Sequence, residues 1–176
     1  NLFAAQWTLV SGNLGAQPTF RDRPGFRSGN SSNTEGHFWV NTGEDFNGPY
    51  GSGCATCNVN QGLTGVLRSR SFIAGGTAIR LRVGGTASAQ AYVALVDSIS
   101  GAVRAEAHGL GTAVMTEREW NITALAGDRL YVEIRDLDPN GHVSVDRIVE
   151  IGEATGVPPS APPVVAQGLV RVAPNP

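Results

Sequence analysis

Apolar and polar residues alternate along several stretches of the chain. Every second residue is apolar within 79–83 and 130–135, and again across 143–151, where Arg147 interrupts the pattern. Side chains of a strand point alternately to two faces, so this period of two predicts strands with one buried and one solvated face. Residues 89–97 are more continuously apolar, which favours a strand in the middle of a sheet.

Short clusters of Gly, Asn, Asp, Ser and Pro separate these stretches and are typical of turns. Strands recurring about every 10–15 residues favour an all-β chain folded as an antiparallel β-sandwich. The best helical candidate is 113–120, which is too short for more than a turn or two. The predicted turns are Gly75-Gly76, Gly84-Gly85, Ser100-Gly101, Ala126-Gly127-Asp128 and Asp138-Pro139-Asn140-Gly141.

The composition of the chain changes after residue 153. Residues 154–176 hold six of the ten prolines and predict an extended tail or linker, while 1–153 are predicted to form the sandwich. Within the tail, 164–172 (VVAQGLVRV) is rich in β-branched residues and has strand character. The Gly-, Asn- and Ser-rich segments 13–36 and 43–62 predict long loops at one end of the sandwich; they are either a binding site or plain surface loops.

Composition and charge exclude several functions. The chain has 176 residues with 16% charged residues, a net charge of −2, and thirteen basic residues that are all arginine. This balance excludes a charge-driven nucleic-acid binder. No apolar run approaches the 18 residues of a membrane-spanning helix. A neutral, Gly-rich, Lys-free chain suits a secreted, extracellular β-protein.

Between Gly36 and Gly152 the chain contains several characteristic stretches, among them 36–42 (GHFWVNT), 79–85 (IRLRVGG) and 141–148 (GHVSVDRI). With these stretches it resembles a jelly-roll module found beside glycoside hydrolases of the levanase and fructosidase family and in large secreted bacterial proteins. Two features depart from the pattern of that module: Gly84-Gly85-Thr86 replaces three glycines, and Asn140-Gly141-His142 lacks a tryptophan. The matching stretches are 36–42 (GHFWVNT), 63–72 (LTGVLRSRSF), 79–85 (IRLRVGG), 93–97 (VALVD), 120–122 (WNI) and 141–148 (GHVSVDRI).

The resemblance implies a jelly-roll, galactose-binding-like sandwich that binds carbohydrate or packs against neighbouring domains. Modules of this kind often hold a structural Ca²⁺ through carboxylate and backbone oxygens. The candidate ligands here are Asp146, which lies in the last matched stretch, with Asp138, Glu44 and Asp45. The Asp138 segment is an equally good plain turn.

Cys54 and Cys57 form a Cys-x-x-Cys motif inside a Gly-rich loop. A redox role needs a helix N-terminus in a βαβ setting, which the pattern does not show. A structural zinc site needs four ligands, and the chain has no second cysteine pair. A small disulfide that shapes the loop in an oxidising compartment is the favoured interpretation.

No catalytic constellation stands out, and the chain is expected not to be an enzyme. The sequence contains no Gly-x-Ser-x-Gly elbow and no His-Glu-x-x-His helix. His37 and His142 lie in matched stretches and could approach each other as metal ligands or a base, although a hydrogen-bonded structural role is commoner. The scattered carboxylates give no persuasive acid–base pair.

Aromatic side chains near the long loops are candidates for stacking on a sugar ring. Trp39, Phe46 and Tyr50 lie in or beside the 43–62 segment, and His142 adds a polar group. Tryptophans in a domain of this size more often fill the core, and this reading applies to Trp39 as well.

The two ends of the chain suggest assembly with further copies. Phe3 and Trp7 lie on one face of a predicted N-terminal strand, and the strand-like 164–172 is tethered by prolines. A tethered strand can add to a neighbouring sandwich, and repetition of that contact gives a filament. We expect a structural subunit of this kind; the alternative is a carbohydrate-binding module. The candidate assembly residues are Phe3, Trp7, Val164, Val165, Leu169, Val170 and Val172.

Overall fold

The structure is a computed structural model that describes residues 6–14, 19–20, 31–36, 38–43 and 62–153. A single 3-10 turn, Thr123–Leu125, accompanies the strands in this part of the chain. The strands are β1 (Trp7–Gly12), β2 (Thr19–Phe20), β3 (Phe38–Asn41), β4 (Gly65–Ser69), β5 (Phe72–Ile73), β6 (Ala78–Gly85), β7 (Ala91–Asp97), β8 (Val103–His108), β9 (Thr112–Asn121), β10 (Arg129–Asp136) and β11 (Val143–Ile151).

The strands form two sheets in which neighbouring strands are antiparallel. Sheet 1 has the order β1-β4-β10-β7-β8, with β5 beside β10, and sheet 2 has the order β2-β3-β11-β6-β9. From β3 onward, β3, β11, β6 and β9 lie in sheet 2 and β4, β10, β7 and β8 lie in sheet 1, which is the strand order of a jelly roll. The prediction of an all-β, antiparallel jelly-roll sandwich is confirmed.

The core lies between the two sheets and is built from the alternating residues. Leu81 of β6 and Leu95, Val132 and Ile134 of sheet 1 are at most 1% exposed and pack in one apolar cluster. The predicted central strand β7 lies between β10 and β8. The period of two in the sequence therefore identified β6 and β10, and the continuous apolar run identified β7.

The interruption at Arg147 is a bulge in β11. The pairing of β11 with β6 shifts register between Asp146 and Val149, and Arg147 has a φ of 49°. An extra residue at this point rotates the strand, so that Ile148 returns to the core.

Two local predictions were wrong. Residues 113–120 belong to strand β9, because this segment pairs along most of β6 and buries Met115 and Trp120. Gly84-Gly85 is the end of β6 rather than a turn. The carbonyl of His142 lies so close to Gly85 that a side chain has no room there, and the φ of 107° also favours glycine.

One end of the sandwich collects several connections and is called the loop end. It contains the connections 86–90, 109–111 and 137–142, together with Thr42 at the end of β3 and Thr64 before β4. No helix in the described residues is long and apolar enough to cross a membrane. The Pro-rich tail, 154–176, lies outside the described residues.

Candidate functional site

A groove opens along one side of the sandwich, where the edge strands β8 and β9 face each other across the two sheets. We call it the edge groove. Its volume is about 350 Å³, and its inner wall includes the side chains of Ala107 and Trp120, which are 6% and 7% exposed. The residues that line it are Glu106, Ala107, His108, Leu110, Arg118, Glu119 and Trp120.

The connection between β8 and β9 sets the position of this groove. Gly111 N–H donates to the carbonyl of Gly85 at 2.9 Å, and a Cβ on Gly109 would collide with that same carbonyl. The short connection therefore lies directly against the end of β6 and projects Leu110 outward, with 62% of its surface exposed. Leu110 thereby extends the apolar lining of the groove to its mouth.

Polar side chains form the rim of the edge groove. His108 is held from both sides, since Nδ1 lies 3.0 Å from the Ser88 carbonyl and Nε2 lies 3.3 Å from the Glu106 carboxylate. On the opposite rim, the Glu119 carboxylate accepts a hydrogen bond from Arg80 Nε at 2.9 Å. The rim is thus charged while the wall is apolar, which is the usual anatomy of a binding surface.

At the loop end, a buried carboxylate joins three strand ends. The Thr42 hydroxyl donates to Asp136 and accepts from the N–H of Val143 at 2.9 Å. The second oxygen of Asp136 accepts from the N–H of Asp138 at 3.1 Å. Burial raises the pKa of Asp136, although the hydrogen bonds from Thr42 and Asp138 oppose that shift. These contacts tie β3, β10 and β11 together.

Asp138 and His142 lie on the turn that follows β10. Hydrogen bonds from Ser88 and from the Asn140 N–H lower the pKa of Asp138. The backbone N–H of His142 donates to Thr86 Oγ1 at 3.1 Å, and its Nδ1 lies 3.5 Å from the same oxygen. The turn is therefore fastened to the 86–90 connection.

Asp146 lies on the outer face of sheet 2 and is 5% exposed. Its carboxylate accepts hydrogen bonds from the N–H of Glu35 at 2.6 Å and the N–H of Arg147 at 2.7 Å. Burial raises the pKa of this carboxyl group. Glu35 in turn pairs with Arg147 at 2.9 Å and Arg82 at 3.5 Å. Asp146 thus fastens the 31–36 segment across the sheet.

The structure does not bring the predicted calcium ligands into one described cluster. Asp138 lies on the loop-end turn, while Asp146 is engaged by backbone N–H groups on the face of sheet 2. Among the residues described, no group of three or more His, Cys, Asp or Glu side chains is placed to hold a metal ion. Glu44 and Asp45 lie outside this part of the chain.

Two of the predicted aromatic site residues are inside the fold. Trp39 is 2% exposed, so its ring offers no face for stacking on a sugar. Trp7, predicted as an assembly residue, is 6% exposed and belongs to the core cluster of its own sandwich. The remaining predicted site residues fall outside the described ranges: Phe3, Phe46, Tyr50, Cys54, Cys57, Val164, Val165, Leu169, Val170 and Val172. The same is true of His37.

The outer face of sheet 1 carries a second surface of interest, which we call the Tyr–Arg band. Glu133 is only 2% exposed, and its two oxygens accept hydrogen bonds from Arg68 at 2.8 Å and Arg135 at 2.6 Å. Each guanidinium also lies over a tyrosine ring, Arg68 at 4.5 Å from Tyr131 and Arg135 at 5.6 Å from Tyr92. The band consists of Tyr131, Arg68, Glu133, Arg135 and Tyr92.

Sequence reasoning missed both surfaces. The edge groove combines residues of β8 with residues of β9, a segment taken for the best helical candidate, so its assembly was not visible along the chain. The band joins Arg68 of β4 to Tyr92 of β7 through β10, and no spacing within one strand signals such a contact. The alternation of Arg, Tyr and Glu within 129–135 was the one available sign of a polar outer face.

Comparison with known proteins adds little. No protein-family model matches the chain, and no curated protein matches it. A similar solved structure is the secreted serine protease VesC from Vibrio cholerae, at 10% sequence identity and a TM-score of 0.35. That match covers 77% of this chain and 28% of the protease, so the chain spans less than a third of that protein. A likeness this distant carries no argument about function.

Proposed function

We propose that the protein is a non-catalytic, extracellular structural subunit that assembles head to tail. In this proposal, the 164–172 segment of one copy adds as a strand to the edge groove of the next copy. The observation that supports it is the groove itself, where the second half of edge strand β9, from Glu117 to Asn121, flanks an apolar wall. Nearer its start, β9 already binds the 31–36 segment, since the N–H of Met115 donates to the Ser32 carbonyl at 2.9 Å. Addition of a strand to an open edge supplies main-chain hydrogen bonds, and side-chain pockets select the sequence.

The alternation in the tail segment suits this groove. Alternate residues share one face of a strand, and one such face of 164–172 is small and entirely apolar. A small apolar face fits a shallow apolar wall. The opposite face carries Gln167 and Arg171 together with Val165 and Leu169, so it is amphipathic rather than polar. The apolar face consists of Val164, Ala166, Gly168, Val170 and Val172.

The charges also favour the tail as the occupant. Residues 154–176 contain Arg171 and no acidic residue. Glu106 and Glu119 on the rim of the groove have side chains that are 53% and 51% exposed. A tail without acidic side chains meets no like-charge repulsion from these two groups, and Arg171 can pair with one of them on the side of the groove away from Arg118.

Head-to-tail contact follows because the donor segment and the acceptor groove are different surfaces. Such a heterologous contact leaves a free donor and a free acceptor at the two ends of every assembly, and it therefore generates an open chain. The N-terminal strand is the poorer donor, since Trp7 would have to leave the core of its own sandwich.

Substitution of Leu110 tests this proposal. Leu110→Glu places a charge at the mouth of the groove, and we expect it to abolish the filaments or large oligomers that wild type forms in electron microscopy and size-exclusion chromatography. Leu137→Glu is the matched control, because Leu137 is 51% exposed at the same end of the sandwich but does not line the groove. A wild type that remains monomeric at every concentration, or equal assembly by both variants, would refute the proposal. Circular dichroism verifies that each variant is folded.

The Tyr–Arg band favours carbohydrate binding as the second candidate function. Ring faces and fixed polar groups together suit a sugar chain lying across a sheet. If this function holds, Arg68→Ala weakens retardation in affinity gels that contain fructans or plant glucans, and Arg80→Ala does not. Both arginine side chains are 42% exposed and ion-paired, but Arg80 lies on the other sheet. Equal mobility with and without every polysaccharide argues against this candidate.

A further inference from the structure

Strand β1 forms the opposite edge of sheet 1 from the edge groove. Its residues Thr8–Gly12 are all exposed, and Leu9 and Val10 retain 38% and 47% of their surface in water. β1 pairs with β4 on one side, and within the described residues no strand lies on its other side. From this edge we infer a second self-interface, in which β1 pairs antiparallel with β1 of another copy.

The backbone of β1 has the hydrogen-bonding groups that such pairing needs. The carbonyl of Gln6 accepts from the N–H of Arg70 at 2.9 Å, so Gln6 and Thr8 direct their backbone groups toward β4. Leu9, one residue further, directs its N–H and C=O to the open side. An antiparallel two-fold places these donors and acceptors opposite the same groups of the second copy, so the edge is complementary to itself.

Charge distinguishes β1 from the other long edge strands. No charged residue occurs between Gln6 and Leu14, whereas β8 carries Arg104 and Glu106 and β9 carries acidic residues. Charged side chains on an edge strand discourage its pairing with an identical edge, where like charges meet, and β1 lacks that protection. A neutral edge also meets no repulsion when a two-fold axis brings each of its residues close to a copy of itself. We therefore assign a second copy of this chain as the partner of β1.

The expected contact is small and closed. A standard interface buries about 800 Å² on each partner, and a strand of six residues is too short to bury that much. The bulge between Leu9 and Ser11 further limits the regular pairing. The pair is therefore a weak dimer that does not extend by itself. In a protein that also forms head-to-tail chains, it would join two chains side by side. The inference does not depend on those chains, because it uses the other edge of sheet 1.

A cysteine scan along β1 of the full chain tests the inference. Thr8→Cys, Leu9→Cys, Val10→Cys and Ser11→Cys are each oxidised and separated on denaturing gels. We expect the amount of covalent dimer to be highest for the cysteine nearest the two-fold axis. That variant should form at least tenfold more covalent dimer than Val103→Cys. Val103 is a matched control because it is 42% exposed on the other edge strand of sheet 1. Cys54 and Cys57 are replaced by serine in every variant, so that the introduced cysteine supplies the only thiol.

Sedimentation of a charged variant gives an independent measurement. Val10→Lys brings two positive charges close together across the two-fold axis, so the dissociation constant of its dimer rises at least about tenfold, while Val103→Lys leaves that constant unchanged. Cross-linking no greater than in the control, a ladder of higher multimers specific to β1, or equal dissociation constants would overturn the inference. Leu110→Glu should abolish the chains and leave the β1 dimer, so failure of one interface is distinguishable from failure of the other.

Discussion

Asp97 ends β7 and organises the turn that leads to β8. Its carboxylate accepts hydrogen bonds from the N–H groups of Ile99 and Ser100, each at 2.9 Å, and from Arg104 at 2.6 Å. Arg104 and the two N–H groups hold the pKa of Asp97 well below its usual range. A carboxyl group with a lowered pKa in the folded state stabilises the fold when it is ionised.

Asp97→Asn should therefore lower the melting temperature at pH 7, where the wild-type carboxylate is ionised. The contribution is complete above the unfolded-state pKa of about 4 and is lost as the pH falls below that value. The difference in melting temperature between wild type and variant should then narrow steadily from pH 5 to pH 3. Scanning calorimetry across this pH range measures the difference in melting temperature. A difference that stays constant down to pH 3 would contradict a stabilising role for the ionised Asp97.

Asp136 responds to pH in the opposite direction. Burial raises the pKa of Asp136. Ionisation of this carboxyl group therefore lowers the free energy of unfolding as the pH rises through the folded-state pKa. The Thr42 hydroxyl makes this loss of stability smaller, because it donates a hydrogen bond to the carboxylate. Thr42→Val should cost about 2 kcal/mol of unfolding free energy at pH 7. The loss should be smaller at pH 4, where more of the carboxyl group is protonated.

Urea unfolding at the two pH values gives both free energies. Thr42→Ser is the control, because it keeps the hydroxyl group and should lose less than half as much stability as Thr42→Val. If the valine variant is equally destabilised at pH 4 and pH 7, the hydroxyl acts through Val143 alone, and its proposed effect on the charge of Asp136 is wrong.

At the scale of elements, the close approach of the β8–β9 connection to the end of β6 depends on Gly109. A Cβ at Gly109 would collide with the carbonyl of Gly85, whereas a Cβ at Gly75 would meet no atom within 4 Å. Gly109→Ala should destabilise the fold by about 2 kcal/mol, because backbone must move to admit the methyl group. Gly75→Ala should change stability by less than about 0.5 kcal/mol. Chemical denaturation measures the free energy of unfolding of both variants. Equal values would show that the connection can shift to admit the methyl group.

The sequence patterns predicted strands well where the strand lies in the interior of a sheet, between two other strands. Within β6 and β10 the period of two persists, since each strand lies between two others and buries one face. In β9 the pattern fails, because an edge strand with a register shift opposite Val83 and Gly85 leaves Met115 and Trp120 buried five residues apart. Long-range pairing with β6, which a single sequence does not display, decides the structure there.

The candidate site was less predictable than the fold, for a physical reason. Loops at one end were expected to carry binding residues, but Asp138, Asp146 and Trp39 are each committed to contacts within the domain. The edge groove arises where two strands of different sheets diverge, so it depends on the spatial position of Leu110 and Trp120 rather than on any motif. The sequence suggested assembly through the tail segment 164–172 and through Phe3 and Trp7, of which Trp7 lies in the core of its own sandwich.

For the whole molecule, the jelly-roll order places two unlike edges on sheet 1. One edge is the neutral strand β1, and the other borders the apolar edge groove between β8 and β9. The first suits a symmetric contact between identical surfaces, and the second suits a heterologous contact with a different segment. A domain with both contacts can build chains and join them laterally, as expected of a structural subunit.

Complementation between two blocked variants tests the central proposal most directly. One variant, Leu110→Glu, keeps its tail and loses its groove; the other, Val170→Asp with Val172→Asp, keeps its groove and loses its tail. Both also carry Val10→Lys, so that β1 contributes nothing. Analytical ultracentrifugation should find each variant monomeric alone and a one-to-one complex, with no larger species, when they are mixed. If the mixture contains only monomers although wild type assembles, the tail of one copy does not occupy the groove of the next.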